Sequence, residues 1–382
     1  MKAWFLLLLW AVSAAAASPL QQFVDDGAIA GAVTLVARRD KIVRLEAVGY
    51  ADLEKRVPMR TDNLFWIASM TKPITATAVM MLQDEGKLSI EDPVEKYLPE
   101  FKGLWMIAEK GKDTLTLKRP SRPITLRDLL THTSGLGELP PPRPDCSLAE
   151  LVMAYSQRPL QFEPGSQWSY STAGINVLGR IVEVVSGQAF ADFLDARLLR
   201  PLGMKDTTFW PTPRQVRRLA KSYAPASSGR GLEETNIYFV KGDLSDRHRT
   251  PFPGGGLFST ASDLCRFYQM ILNGGVAGNR RFLSETAVKQ MTTTQTGDLK
   301  TGFVDGMSFG LGWGVVKQPQ GVTAMLSPGT FGHGGAYGTQ GWVDPKRGAI
   351  FVMLIQRAKL PNADASDMRR VFQQTAVAAL GD

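Results

Sequence analysis

Ser69-Met70-Thr71-Lys72 sets a hydroxyl and an amine three residues apart. On a helix such positions share one face, roughly 5–6 Å apart at Cβ, so Lys72 reaches Ser69. A serine hydroxyl is a poor nucleophile until a base takes its proton. A lysine serves as that base only if its pKa falls from about 10.4, through desolvation or a neighbouring cation. A helix start adds positive potential, which favours a developing oxyanion. The apolar run Phe65-Trp66-Ile67-Ala68 leads straight into the motif, so the pair is expected to be buried. Tyr170-Ser171-Thr172 follows Glu163-Pro164-Gly165 and opens a periodic segment. A phenol beside a lysine ammonium is a base or a proton relay. Gly332-His333-Gly334-Gly335-Ala336 brings glycines that let a substrate approach backbone N–H groups. In isolation it reads as a glycine-rich turn before the last hairpin.

The elements that position these residues follow from periodicity. Val33 to Ala37 and Ile42 to Tyr50 read as strands; in the second, Val43, Leu45 and Ala47 alternate with Arg44 and Glu46. Met70 to Glu85 reads as a helix with Pro73 in its first turn and Gly86 at its end. Thr125 and Asp128 form a capping-box pattern. Ile175, Leu178, Val182 and Val185 repeat at helical spacing before Gly187, as do Leu264, Phe267, Tyr268, Ile271 and Leu272 before Asn273. Gly341 to Val343 and Ala349 to Gln356 flank a turn. The second is apolar on both faces, as in a central covered strand. Met368, Val371, Phe372 and Ala376 mark a last helix. Residues 104–123 and 136–145 read as loops. The pattern predicts an α/β (α+β) chain: an antiparallel sheet from both termini (about 18–65 and 300–382), flanked by helices, with a mainly helical insertion (about 66–299).

Composition narrows the function classes. The 382 residues are 44% hydrophobic and 21% charged, which excludes a disordered or collagen-like chain. Two cysteines, Cys146 and Cys265, are too few for a disulfide scaffold; they are either one bridge or two buried thiols. Three histidines leave little for a histidine-rich metal site. The net charge is +8, but the basic residues are scattered, so no nucleic-acid partner is expected. Arg214, Arg217, Arg218 and Lys221 fit one solvated helical face. Lys2, the apolar run Ala3 to Val12 and the small residues Ser13 to Ala17 read as a signal peptide over residues 1–17. The run is shorter than the roughly 20 residues that span a bilayer. An exported, periplasmic or secreted protein with no lasting membrane span is expected, its catalytic domain covering 18–382.

Ser-x-x-Lys, then Tyr-Ser-x, then His-Gly-Gly, in this order, resembles the serine β-lactamase-related family: class C β-lactamases, DD-peptidases and family VIII carboxylesterases. The likeness also covers Leu129-Leu130-Thr131-His132-Thr133-Ser134-Gly135-Leu136 and Gly254-Gly255-Gly256-Leu257, and runs from about Leu20 to Leu380. It implies that Ser69 is acylated, that Lys72 and Tyr170 share proton transfer, and that the N–H groups of Ser69 and Ala336 form the oxyanion hole. It places Thr172, His333, Gly334 and Gly335 against substrate and implies no metal or cofactor. Two departures matter. Thr172 stands where the family usually has Asn, and offers no amide donor. His333 stands where Lys-Thr-Gly is common, and a neutral imidazole attracts a substrate carboxylate less than an ammonium does. Both favour ester substrates over β-lactams or D-amino-acid peptides, and the intact trio Ser69, Lys72 and Tyr170 favours a hydrolase over a non-catalytic binder of peptidoglycan-like ligands. Lys300-Thr301-Gly302 matches the third motif literally but lies in a polar stretch. Gly306-Met307-Ser308-Phe309-Gly310 matches a nucleophile elbow, yet no helix and no acid-then-histidine order follow it.

Overall fold

A computed structural model describes residues 18–381, except 141, 142, 144, 238, 239 and 241. The expected signal peptide lies outside the described residues.

Eight strands form one antiparallel sheet: β1 (Gly31–Arg38), β2 (Ile42–Asp52), β3 (Val57–Pro58), β4 (Met307–Phe309), β5 (Gly314–Val316), β6 (Phe331–Gly334), β7 (Gln340–Asp344) and β8 (Ala349–Leu354). Their order is β4-β5-β6-β7-β8-β1-β2-β3. The two ends of the chain meet where β8 pairs with β1, Val33 opposite Leu354 and Arg38 opposite Ala349. Both faces of β8 are covered. Ile350, Val352 and Leu354 enter one core with Val33 and Leu35. Ala349, Phe351 and Met353 enter a second core with Trp342, Phe372 and Ala376. That alternation is why β8 reads as a continuous apolar run.

The helical region packs on the first of these faces. Its centre is α1 (Thr71–Asp84), buried continuously from Thr71 to Leu82. A helix covered on every side needs no polar face. Around it lie α2 (Leu126–Leu130), α3 (Leu148–Ser156), α4 (Thr172–Ser186) and α5 (Ala261–Leu272). The Thr125–Asp128 capping box opens α2. The Ser171 hydroxyl accepts from Gly174 N–H to open α4, and Gly187 at φ 69° closes it. The second sheet face carries α6 (Asp367–Ala379).

Three local readings need correction, and one open alternative is decided. Residues 104–123 hold a hairpin, Met106–Lys110 with Leu115–Lys118. Its strands are short and largely exposed, and the alternation of Leu115 and Leu117 with Thr116 and Lys118 is too brief to mark a strand amid the charged residues around it. Gly332 to Gly334 belong to strand β6 rather than to a turn. A Cβ on Gly332 would lie 2.2 Å from the Gly341 carbonyl, so glycine is what lets β6 and β7 close. The basic stripe is not one helical face: the helix there is only Pro213–Val216. Arg218 pairs with Asp206 and Lys221 with Glu234 and Asp52. Cys146 and Cys265 are free, buried thiols. Among the described residues no helix is long and apolar enough to cross a membrane.

Candidate active site

Ser69 lies on a 3-10 turn, Ala68–Met70, that feeds directly into α1. The turn is reached by a short buried strand, Phe65–Trp66, paired with Phe258–Ser259. Ala68 is held at φ 46°, a left-handed conformation that costs a non-glycine residue about 1–2 kcal/mol. Neighbours impose it. Thr71 Oγ1 donates to the Ala68 carbonyl (2.7 Å), Ile67 N–H to the Leu257 carbonyl (3.0 Å) and Thr339 Oγ1 to the Ile67 carbonyl (3.3 Å). The chain therefore turns sharply just before Ser69, and the Ser69 N–H sits in a first turn where amides have no intrahelical acceptor.

Lys72 follows one turn later and is fully buried. Its Nζ donates to the Gly254 carbonyl (2.6 Å) and lies 3.2 Å from Ser69 Oγ and 3.3 Å from Thr172 Oγ1. Burial lowers its pKa to about 7, while the Glu138 carboxylate pulls the other way. A neutral amine has two N–H donors and one lone pair. The Gly254 carbonyl and Thr172 Oγ1 can take the donors, which leaves the lone pair for the Ser69 O–H. Gly254 is itself clamped in place. Its N–H donates to Asn176 Oδ1 (2.9 Å), and Thr75 Oγ1 donates to the adjoining Pro253 carbonyl (2.7 Å).

Tyr170 approaches from the start of α4. Its hydroxyl faces the Ser69 side chain, and its ring centre lies 4.8 Å from Lys72 Nζ. Burial pushes the phenol well above its ordinary pKa, an effect the neighbouring Ser69 hydroxyl partly opposes. Tyr170 is bracketed by His132. Ser169 N–H donates to the His132 carbonyl (2.9 Å) and Ser171 N–H to His132 Nδ1 (3.2 Å). The imidazole lies 4.7 Å from the Tyr170 ring, centre to centre. Burial and the Lys72 charge hold His132 well below the usual histidine pKa, so it is neutral, with its proton on Nε2. Next along the chain, Glu138 Oε1 accepts from Thr172 N–H and from Ala173 N–H (3.1 Å).

The third motif completes the ring. His333 is buried and hydrogen bonded through Nδ1 to the Gly334 carbonyl (2.7 Å), so Nδ1 carries the proton. Burial, with the Lys72 charge, lowers its pKa to about 4. A Cβ on Gly335 would lie 2.7 Å from the Ile67 carbonyl and 3.3 Å from Ala68 Cβ. That close approach seats Ala336 beside the Ser69 turn. The Ala336 N–H makes no backbone hydrogen bond among the described residues.

The residues singled out from sequence thus converge: Ser69, Lys72, Tyr170, Thr172, His333, Gly334, Gly335 and Ala336. The two decoys fall outside. Ser308 is buried against Thr296 (3.1 Å), and Thr301 is bonded to the Met307 carbonyl (3.1 Å). Sequence reading missed the Gly254 carbonyl, the His132 bracket and Glu138. The first two lay in quoted motifs, but Glu138 sits in a segment without any pattern.

The Beta-lactamase family matches residues 17–376. The chain belongs to that family. It is 32% identical to Esterase EstB of Burkholderia gladioli, covering 88% of each chain. An Escherichia coli K12 protein to which D-alanyl-D-alanine carboxypeptidase activity is ascribed is 30% identical, covering 89% of this chain and 81% of that one. Among solved structures, EstCE1, a hydrolase with promiscuous acyltransferase activity, superposes with TM-score 0.76 at 27% identity, over 94% of this chain and 96% of that one. The protein is an enzyme of β-lactamase fold, within a family of serine hydrolases.

Proposed function

We propose that this β-lactamase-family enzyme is an exported carboxylesterase that forms an acyl-enzyme on Ser69. The observation that carries the reading is a buried amine of pKa about 7, 3.2 Å from a hydroxyl that also contacts a phenol. Neutral Lys72 accepts the Ser69 proton as Oγ attacks the ester carbonyl. The oxyanion forms against the N–H groups of Ser69 and Ala336. Tyr170, whose phenol stays protonated, gives its proton to the departing alkoxide and is reprotonated through Lys72. The alcohol leaves and Ser69 carries the acyl group. Water then adds to that carbonyl, the carboxylic acid departs and Ser69 Oγ–H is restored.

Two observations support esters over carboxylate-bearing β-lactams or D-amino-acid peptides. His333 is neutral across the working pH range, so it offers no cation to a substrate carboxylate. Glu138 adds an exposed carboxylate beside Lys72 and Thr172. The resemblance to EstB agrees, and the relative with ascribed carboxypeptidase activity keeps peptidase chemistry as the second reading. Hydrolysis of p-nitrophenyl butyrate and of a β-lactam panel by wild type and Ser69→Ala tests both. Ester turnover that disappears in Ser69→Ala is expected, with acylation of Ser69 seen by mass spectrometry. Equal turnover in the two proteins would remove the nucleophile, and nitrocefin turnover far above ester turnover would favour the second reading. Export predicts a mature protein beginning near Ser18 in the periplasm or medium, which N-terminal sequencing reads directly.

A further inference from the structure

The aromatic side chains around Tyr170 exceed what holding one phenol requires. Trp168 lies 6.3 Å from the Tyr170 ring and 5.6 Å from Phe309, centre to centre. Phe303 sets its edge against Tyr170 at 4.9 Å and against Trp168 at 5.9 Å. Phe303 is nevertheless 43% exposed. It comes from the turn that follows the decoy Lys300-Thr301-Gly302. Gly302 and Gly306 adopt φ 82° and 78°, and Asn362 Nδ2 donates to the Phe303 carbonyl (2.7 Å). A large apolar ring thus stands partly in water at the rim of the site.

Tyr170 decides which half of a substrate this rim meets. On the esterase reading, on which this inference rests, the phenol delivers its proton to the leaving oxygen. Rings packed against that phenol therefore border the alcohol moiety, not the acyl group. The nearby histidines, His132 and His333, are both neutral, so neither draws an anionic guest to the rim. We propose that Phe303 and Trp168 form an alcohol-side subsite for esters of aromatic alcohols, the guest ring packing against the exposed part of Phe303. Edge-to-face packing of this kind is individually modest but directional.

Benzyl acetate and ethyl acetate share an acyl group and have alcohols of similar acidity, so their kcat/KM ratio, followed by acid release, isolates the alcohol side. Wild type is expected to favour benzyl acetate by about tenfold or more, and Phe303→Ala to lose about tenfold of that ratio. The ratio of benzyl butyrate to benzyl acetate should be the same in both proteins. Benzyl alcohol should inhibit wild type at least about tenfold more tightly than ethanol, a measurement that needs no variant. An unaltered benzyl-to-ethyl ratio in Phe303→Ala, or a change confined to the butyrate-to-acetate ratio, would overturn the subsite while leaving the esterase intact. Wild type that releases acid from none of these esters would overturn the esterase reading and the subsite together.

Discussion

Lys72 is the residue whose environment decides the chemistry. Its amine is sealed from water, and the charged form loses hydration that one carbonyl and two hydroxyls replace only in part. The result is a pKa near 7, where a base is half available at neutral pH. The competent neutral form grows as pH rises through about 7. The acid limb of kcat/KM on an activated ester is therefore expected near pH 7, and Lys72→Ala should lower kcat/KM by about 10² or more. A profile that stays flat across that region would remove Lys72 as the base. The same shifts act on folding. Unfolded chains bind a proton on Lys72 up to about 10.5 and folded chains only to about 7, so this group favours the unfolded chain increasingly as pH falls between them. His333 behaves alike at lower pH. Its contribution is intact above about 6.5 and is lost as pH falls toward about 4.

At the scale of elements, three unrelated segments are locked around one hydroxyl by backbone bonds rather than by helix packing alone. The 3-10 turn of Ser69 is forced by the strained Ala68, and β6 lies close enough to touch it only because Gly335 has no side chain. The approach to α4 is held by His132 through its own carbonyl and its Nδ1, one bond on each side of Tyr170. His132 itself sits at φ 60°. Asparagine tolerates that conformation and keeps a side-chain acceptor. His132→Ala should then cut kcat by ten- to about 100-fold with little change in KM, through misplacement of the phenol, and His132→Asn should recover part of the loss. Parallel losses in kcat and KM with no rescue by asparagine would make His132 a packing residue only.

For the molecule as a whole, stability and site share a support on the far side of the sheet. Arg369 of α6 is completely buried. It lies 4.1 Å from the Trp342 ring and donates to the Asp364 carbonyl (2.8 Å) and to Gln373 Oε1 (3.2 Å). Asp364 in turn packs on Gly334, where a Cβ would fall 2.2 Å from its carboxylate. Removing this side chain leaves a large void and strands polar partners. Arg369→Ala should cost about 3 kcal/mol or more in urea unfolding. Stability within about 0.5 kcal/mol of wild type would show that α6 docks without it.

The chain by itself determined a good deal. Periods of two and of 3.6, caps such as Thr125 with Asp128, and stops such as Gly187 are local, and a residue's immediate neighbours are enough to set them. The motifs around Ser69, Tyr170 and His333 were legible because their chemistry demands particular residue types at short spacing. Tertiary structure alone decided the rest. The hairpin in 104–123 buries little beyond Met106 and leaves only a brief alternation, and β6 is a strand because β5 and β7 lie against it on either side. The pKa of Lys72 is set by the exclusion of water by the elements packed around it, with the Glu138 carboxylate of a separate segment pulling the other way. His132 and Phe303 likewise owe their places at Tyr170 to contacts across long loops. Burial and long-range hydrogen bonding are properties of the closed molecule, and no window of sequence contains them.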